Sequence, residues 1–339
     1  MIGTLLRYFN LTFITLLILV VLSFGLGFFF PGDTLTNLIG EPQGDTTGYT
    51  QLAQAFERED ILAQFWAYLQ TLAQGQWGHS LSTGLPIAEQ ISQTFPATLE
   101  LSFYGTIVSL LIGVPCGMLA GFQHHKLSDY SLMSVSMVMV SLPVFWLALL
   151  LILVFCLQLQ ILPMSGRLSL LYNIDEHTGF VIYDILQSDV SFRGDALLDA
   201  IKHLILPTVA VSFITTAVLL RTTRRAVVDV MATEYIKTAQ TRGLSFWVIF
   251  SRHVLRNVLL AILPLFAIQI STLVTNVMIV ETVFAWPGTG SWLIQAIYER
   301  DYPAIRIGML VVSSAVVLFA MSIECISRLI NPSRELQYG

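Results

Sequence analysis

Long apolar runs alternate with polar interruptions along the chain. Six runs stand out: about Leu11 to Phe30, Ala97 to Phe122, Ser131 to Leu157, Leu204 to Leu220, Val258 to Phe284 and Arg306 to Ser327. A helix rising 1.5 Å per residue needs about 20 apolar residues to cross about 30 Å of hydrocarbon. The pattern predicts an all-α polytopic membrane protein with six transmembrane helices. Two polar stretches are long, Gly32 to Pro96 and Gln158 to His203. In the first, Leu52, Phe56, Leu62, Phe65, Trp66 and Leu69 recur at roughly helical spacing between Tyr49 and Gln74, beside Glu57, Arg58, Glu59 and Asp60. This predicts an amphipathic helix lying on the outer surface or capping the bundle. The second carries Pro163, Gly166, Gly179 and Gly194 among short apolar stretches and reads as a compact folded loop.

Composition agrees. Of 339 residues, 55% are hydrophobic and 12% charged, with a mean hydropathy of +0.73; a water-soluble domain of this make-up would expose large apolar patches. Phe28-Phe29-Phe30-Pro31 follows the first run in place of a small-residue cleavage site, so that run reads as a retained helix. Cys116, Cys156 and Cys325 lie far apart inside predicted spans, as small buried hydrophobes rather than a disulfide or metal framework.

Charge sets the expected orientation. With the N-terminus inside, the inner segments hold Arg7, Lys126, Arg221, Arg224, Arg225, Lys237, Arg242, Arg252, Arg256, Arg328 and Arg334, 11 of the 17 basic residues. The positive-inside rule then places both termini in the cytosol. Acids gather on the outer side, where Asp175, Glu176, Asp184 and Asp189 either draw cationic solutes or simply solubilise the loop.

Catalytic motifs are missing. Lys126, Lys202 and Lys237 follow His125, Ile201 and Ile236, not the glycine of a phosphate-cradling loop, and neither His-Glu-x-x-His nor Gly-x-Ser-x-Gly occurs. The chain reads as a non-enzyme that binds no cofactor or metal. The adjacent His124 and His125 would point in different directions on a helix. Polar groups inside the spans are candidates for a translocation path. Gln269, Thr272 and Asn276 recur on the fifth span and Thr208, Ser212 and Thr215 on the fourth, although such residues also pack helices together. Glu100 and Glu281, near the outer ends of spans two and five, read either as cation ligands or as carboxylates snorkelling to the interface.

The most informative stretch is the polar loop of residues 222–257. Ala226 to Arg242 reads as helix, Gly243 as its left-handed stop and Ser245 as the cap of the next helix through Trp247, Phe250 and Val254. Tyr235 and Ala239 fall at i and i+4 on one side, with Tyr235 and Leu244 as knobs for a partner's groove. Tyr235, Ile236, Ala239, Gly243, Leu244, Ser245, Arg252, His253, Leu255 and Asn257 resemble the cytoplasmic EAA loop of ABC-importer permeases. The likeness is greatest to B-type permeases of the dipeptide/oligopeptide/nickel family. Pro31-Gly32-Asp33, residues 96–101, 113–117, 141–147 and 162–166, His203 to Pro207, residues 281–284 and 287–290, and Asp301-Tyr302-Pro303 match the same family in order. Residues 166–172, Thr178-Gly179-Phe180 and Ser188-Asp189 look like the outer loop of its Sap-type branch, associated with antimicrobial-peptide resistance and putrescine transport. Two departures stand out: Lys237 replaces the usual loop glutamate, and Asn331-Pro332-Ser333-Arg334 replaces Asp-Pro-Arg.

The resemblance implies an ABC type I importer-like core in the bacterial inner membrane, and a division into residues 1–96, a five-helix core of 97–330 and a tail of 331–339. Its implied partners are a second homologous permease, two cytosolic ATPases that use ATP, a periplasmic solute-binding protein and the lipid bilayer, with no nucleic acid. Tyr235, Ala239, Gly243, Leu244, Ser245, Arg252 and His253 would couple the chain to the ATPases. A general di- or oligopeptide or nickel permease, and more remotely a secondary transporter or channel, stand as alternatives.

Overall fold

The computed structural model describes residues 2–40, 50, 52–54, 56, 60–175 and 177–330. The charges Glu57, Arg58, Glu59 and Glu176 and the tail at 331–339 therefore lie outside the described residues. Helix α1 (Ile2–Phe29) is followed by α2 (Thr34–Ile39), whose first turn is capped by the Asp33 carboxylate accepting from Thr36 N at 3.0 Å. In the same way Asp60 opens α3 (Ile61–Ala73), accepting from Leu62 N at 3.0 Å. The amphipathic helix expected from Tyr49 to Gln74 is therefore not continuous: Asp60 is extended (φ −98°, ψ 108°), and α3 is only the part that follows it. Its Ala67 and Tyr68 pack with Phe24, Leu38 and Leu52, while Ile61, Leu62 and Trp66 are exposed.

Among the described residues, five helices, or six if one bent pair counts as a span, are long and apolar enough to cross a membrane. Helix α4 (Ile87–Phe122) begins ten residues before the expected second span and runs through Pro96. The expected third span is not one helix. It divides into α5 (Leu127–Ser141) and α6 (Val144–Leu151), the latter continuing as a π-helical segment over Ile152–Gln158, and the halves meet at 99°. The cause is Pro143: its ring disfavours helical dihedrals at the preceding residue, and Leu142 is extended at φ −88°, ψ 125°. After the short α7 (Val181–Gln187), the 39-residue α8 (Arg193–Met231) is the longest element. Then come α9 (Glu234–Thr241), α10 (Phe246–Ile249), a π-helical segment over Phe250–Val254, α11 (Leu255–Val283), α12 (Thr289–Glu299) and α13 (Tyr302–Ile330).

The centre of the bundle is the α4–α8 pair. Gly105, Ser109, Gly113, Gly117 and Gly121 recur every four residues on α4 and so share one face. Along α8 they meet Val211, Ser212, Leu219, Leu220, Thr223 and Val227, and a Cβ at position 117 would sit 2.6 Å from Leu220 O. With hydrocarbon around a bundle, close backbone packing takes over from the hydrophobic effect as the glue between helices. A second core joins Ala97, Leu101, Val144, Leu206, Leu273 and Val277 of α4, α6, α8 and α11. At the periphery, α1 lies along α13 and exposes Phe9, Phe13, Ile18 and Leu22.

Candidate coupling site

Between α8 and α11 the chain makes two sharp breaks. The first ends α8 at Met231, so the continuous helix expected from Ala226 to Arg242 does not exist. Thr233 is extended (φ −71°, ψ 148°), and its hydroxyl donates back to Val230 O at 2.6 Å rather than capping α9. The second break is the expected one. Gly243 has φ +74°, its N–H donates to Gln240 O at 3.0 Å, and Leu244 N donates to Ala239 O at 3.3 Å. These paired bonds satisfy carbonyls that a helix end otherwise leaves bare. Nothing lies within 4 Å of a Cβ built on Gly243, so within the chain the left-handed backbone, not space, requires glycine there. Ser245 opens α10 as expected, although its side chain makes no capping bond.

Helix α9 is seated by Ile236 and Ala239, which pack with Met118, Val227, Ile249, Val254 and Val258. Ala239 is only 7% exposed. It therefore faces the protein's own core, and the expectation that it shares an accessible side with Tyr235 is corrected: Ile236 sets the buried face, and Ala239 at i+3 follows it. Tyr235 at 44% exposure, Leu244 at 42% and Trp247 at 73% face outward with Gly243. Tyr235 is braced from α11, where Asn257 Nδ2 donates to its hydroxyl at 3.1 Å and to His253 O at 2.7 Å. Arg252 and His253 occupy the π-helical segment, Arg252 exposed and His253 half-buried. Lys237 and Glu234 form an exposed ion pair at 2.8 Å within one turn. The result is a short helix with one face sealed by Ile236 and Ala239 and an opposite face, continued by Leu244 and Trp247, that is exposed.

Beneath this loop lies a cluster that the sequence did not single out. Arg224 of α8 grips Asp129 of α5 with both ends of its guanidinium, Nε to Oδ1 at 2.5 Å and Nη2 to Oδ2 at 2.8 Å. Asp129 Oδ2 also accepts from His125 N at 3.0 Å, and Arg224 Nη2 reaches His124 Nδ1 at 2.9 Å. His124 and His125 do not point apart on a helix: they sit in the α4–α5 turn with rings stacked 3.7 Å apart, His125 at φ +66°. Asp129 and Arg224 are 95 residues apart, and no local pattern links them.

The candidate path residues divide. Thr208, Ser212 and Thr215 are buried in α8, and Ser212 O accepts from Ser109 of α4 at 3.2 Å, so this stripe meets the α4 spine. Of the α11 stripe, Thr272 is exposed, Gln269 half-buried and Asn276 buried. Glu100 and Glu281 are both buried, which overturns the interfacial snorkelling reading. Glu100 pairs with Arg167, which also donates to Gly179 O at 2.8 Å and lies over the Trp286 ring. Glu281 accepts from Thr98 Oγ1 at 2.6 Å and from Ser291 N at 3.0 Å, holding the first turn of α12. The acids between α6 and α8 divide as well. Asp184 is buried and accepts from Thr178 N and Gly179 N, while Asp175 and Asp189 remain exposed.

Residues 113–335 match the family described as binding-protein-dependent transport system inner membrane component. The chain belongs to that family. It is 38% identical over 316 residues to the di/tripeptide transport system permease protein DppB of Pseudomonas aeruginosa, covering 92% of each chain. It is 41% identical over 262 residues to the putrescine export system permease protein SapB of Escherichia coli K12, covering 77% of this chain and 82% of SapB. The dipeptide transport system permease protein DppB of Escherichia coli K12 is 30% identical over 338 residues, 98% of each chain. The protein is thus a multi-pass inner-membrane permease subunit of an ABC transporter, a transport component rather than an enzyme, and its family works with ATPase and binding-protein partners.

Proposed function

We propose that this permease carries short peptides, and among them cationic ones, through a path shared with a second homologous permease subunit. Two cytosolic ATPases would grip the exposed face of α9, and a binding protein would deliver solute on the opposite side. The observation that carries this reading is α9 itself: an amphipathic helix anchored by Ile236 and Ala239, ended by left-handed Gly243, with Tyr235 and Leu244 exposed. Closure of the ATPase dimer would press on that face and tip the bundle between two access states. Gln269 and Thr272 of α11, not packed into the core, are the path residues this reading favours. Two relatives are named for di/tripeptide or dipeptide transport and one for putrescine export, so an oligopeptide and a polyamine share the amine that an outer acidic loop suits. Both termini would then lie in the cytosol.

Reconstitution of the complex with Gly243→Val tests the reading. A β-branched residue resists the left-handed backbone, so the assembled complex should hydrolyse ATP while solute movement falls. Wild-type transport in the assembled variant would overturn it. Uptake of a neutral dipeptide, a lysine-rich peptide and putrescine in parallel decides the substrate class, and impermeant-thiol labelling of Arg242→Cys in intact spheroplasts would overturn the orientation.

A further inference from the structure

We propose that the α4–α5 turn is a brace for the α9 loop, with Asp129 and Arg224 as its positioning residues. The proposal deepens the coupling reading of α9 and rests on it. The loop has two limbs, the end of α8 before α9 and α10 after it, and both are tied to the same turn. On one side the bidentate Arg224–Asp129 pair fastens α8 to the first turn of α5. Asp129 is 1% exposed, and a planar guanidinium gripping both carboxylate oxygens fixes orientation as well as distance. His124 completes the cluster: its Nδ1 lies 2.9 Å from Arg224 Nη2 and 3.1 Å from Asp129 Oδ2, so the ring touches both members of the pair.

On the other side Phe122, the last residue of α4, sits edge-on to Phe246 of α10 at 5.2 Å and 5.8 Å from Phe250. Between these fastenings α4 and α8 leave no slack, since a Cβ on Gly121 would lie 2.5 Å from Val227 Cβ. Helix α9 rests through Ile236 and Ala239 on the cluster that includes Met118, Phe122 and Val227. A push on α9 therefore cannot splay its limbs. It moves α4, α5, α8 and α10 as one block, and a break in the brace lets the push dissipate in the loop.

The test is the amount of ATP hydrolysed per solute moved by the reconstituted complex, which a purely structural role would leave unchanged in the assembled fraction. Asp129→Asn should raise that ratio about 5-fold or more, the lower range of typical coupling effects. Arg224→Lys keeps the charge but cannot grip both oxygens, and it should raise the ratio by a smaller factor; it decides the matter if Asp129→Asn does not assemble. A wild-type ratio in every variant that assembles overturns the brace. Gly243→Val separates the two ideas: if it uncouples while the brace variants do not, only the brace fails, and if it too is silent the coupling reading fails with it.

Discussion

The two ends of the bundle treat their polar groups in opposite ways. At the α12 end nearly every buried charge is consumed inside the chain. Arg167 is spent on Glu100, Glu281 on Thr98 and Ser291, and Asp301 on Ser80 and Ser82, while Arg306 bonds Tyr68 and Leu38 O of the α1–α3 layer. At the α9 end one buried ion pair suffices, and Tyr235, Leu244 and Trp247 are left facing outward. Burying a charge is costly unless it is paired, whereas exposed apolar side chains cost little until a partner covers them. One end turns its polar groups inward, although Nε of Arg167 and of Arg306 has no hydrogen-bond partner among the described residues; the other end turns side chains outward, toward a partner.

Four substitutions probe that contrast. The largest effect belongs to the α12 end: Arg167→Ala strands Glu100 in a buried site and should cost about 3–5 kcal/mol. Thermal unfolding of the detergent-solubilised protein measures it, and a shift no larger than that of an exposed substitution would mean that this end is not held by its charges. Midway along the bundle, Gly117→Leu forces side-chain atoms toward Leu220 O and Thr223 Cβ, each already 2.6 Å from a Cβ at that position. It should destabilise by about 1–3 kcal/mol in the same assay. At the open end Gly243→Ala meets nothing, so only the left-handed backbone costs, about 1–2 kcal/mol; an unfolding shift equal to that of Gly117→Leu or larger would mean that the loop is packed after all. Smallest is Glu234→Ala, which removes an exposed pair worth less than about 1 kcal/mol and should leave both unfolding and transport unchanged.

What could be read along the chain were features set by neighbours in sequence. Apolar runs place most spans and Gly243 announces its own turn, whereas the i, i+4 spacing of Tyr235 and Ala239 misleads, because Ala239 turns into the core beside Ile236. The four-residue recurrence from Gly105 to Gly121 was equally legible, since one helix face holds it. Features that depend on a distant partner were not. Nothing near Glu100 forecasts Arg167, 67 residues away, and an acid whose counter-ion is unseen looks like a ligand. Asp184 failed in the same manner: it looks like an acid at an outer mouth, yet its bonds cap the backbone at Thr178 and Gly179. The stripe at Thr208, Ser212 and Thr215 has the same periodicity whether it lines water or packs against glycine, and only the position of α4 decides.

The bend at Leu142–Pro143 bears on how the chain enters the bilayer. Fifteen residues of α5 rise only about 22 Å, short of the roughly 30 Å of hydrocarbon. Neither half of the bent pair is a self-sufficient stave, and the backbone groups freed at the corner must be screened from lipid by protein. The neighbour along which both α5 and α6 are laid is α8, which follows them in the chain; the bent pair is therefore completed by a helix made after it.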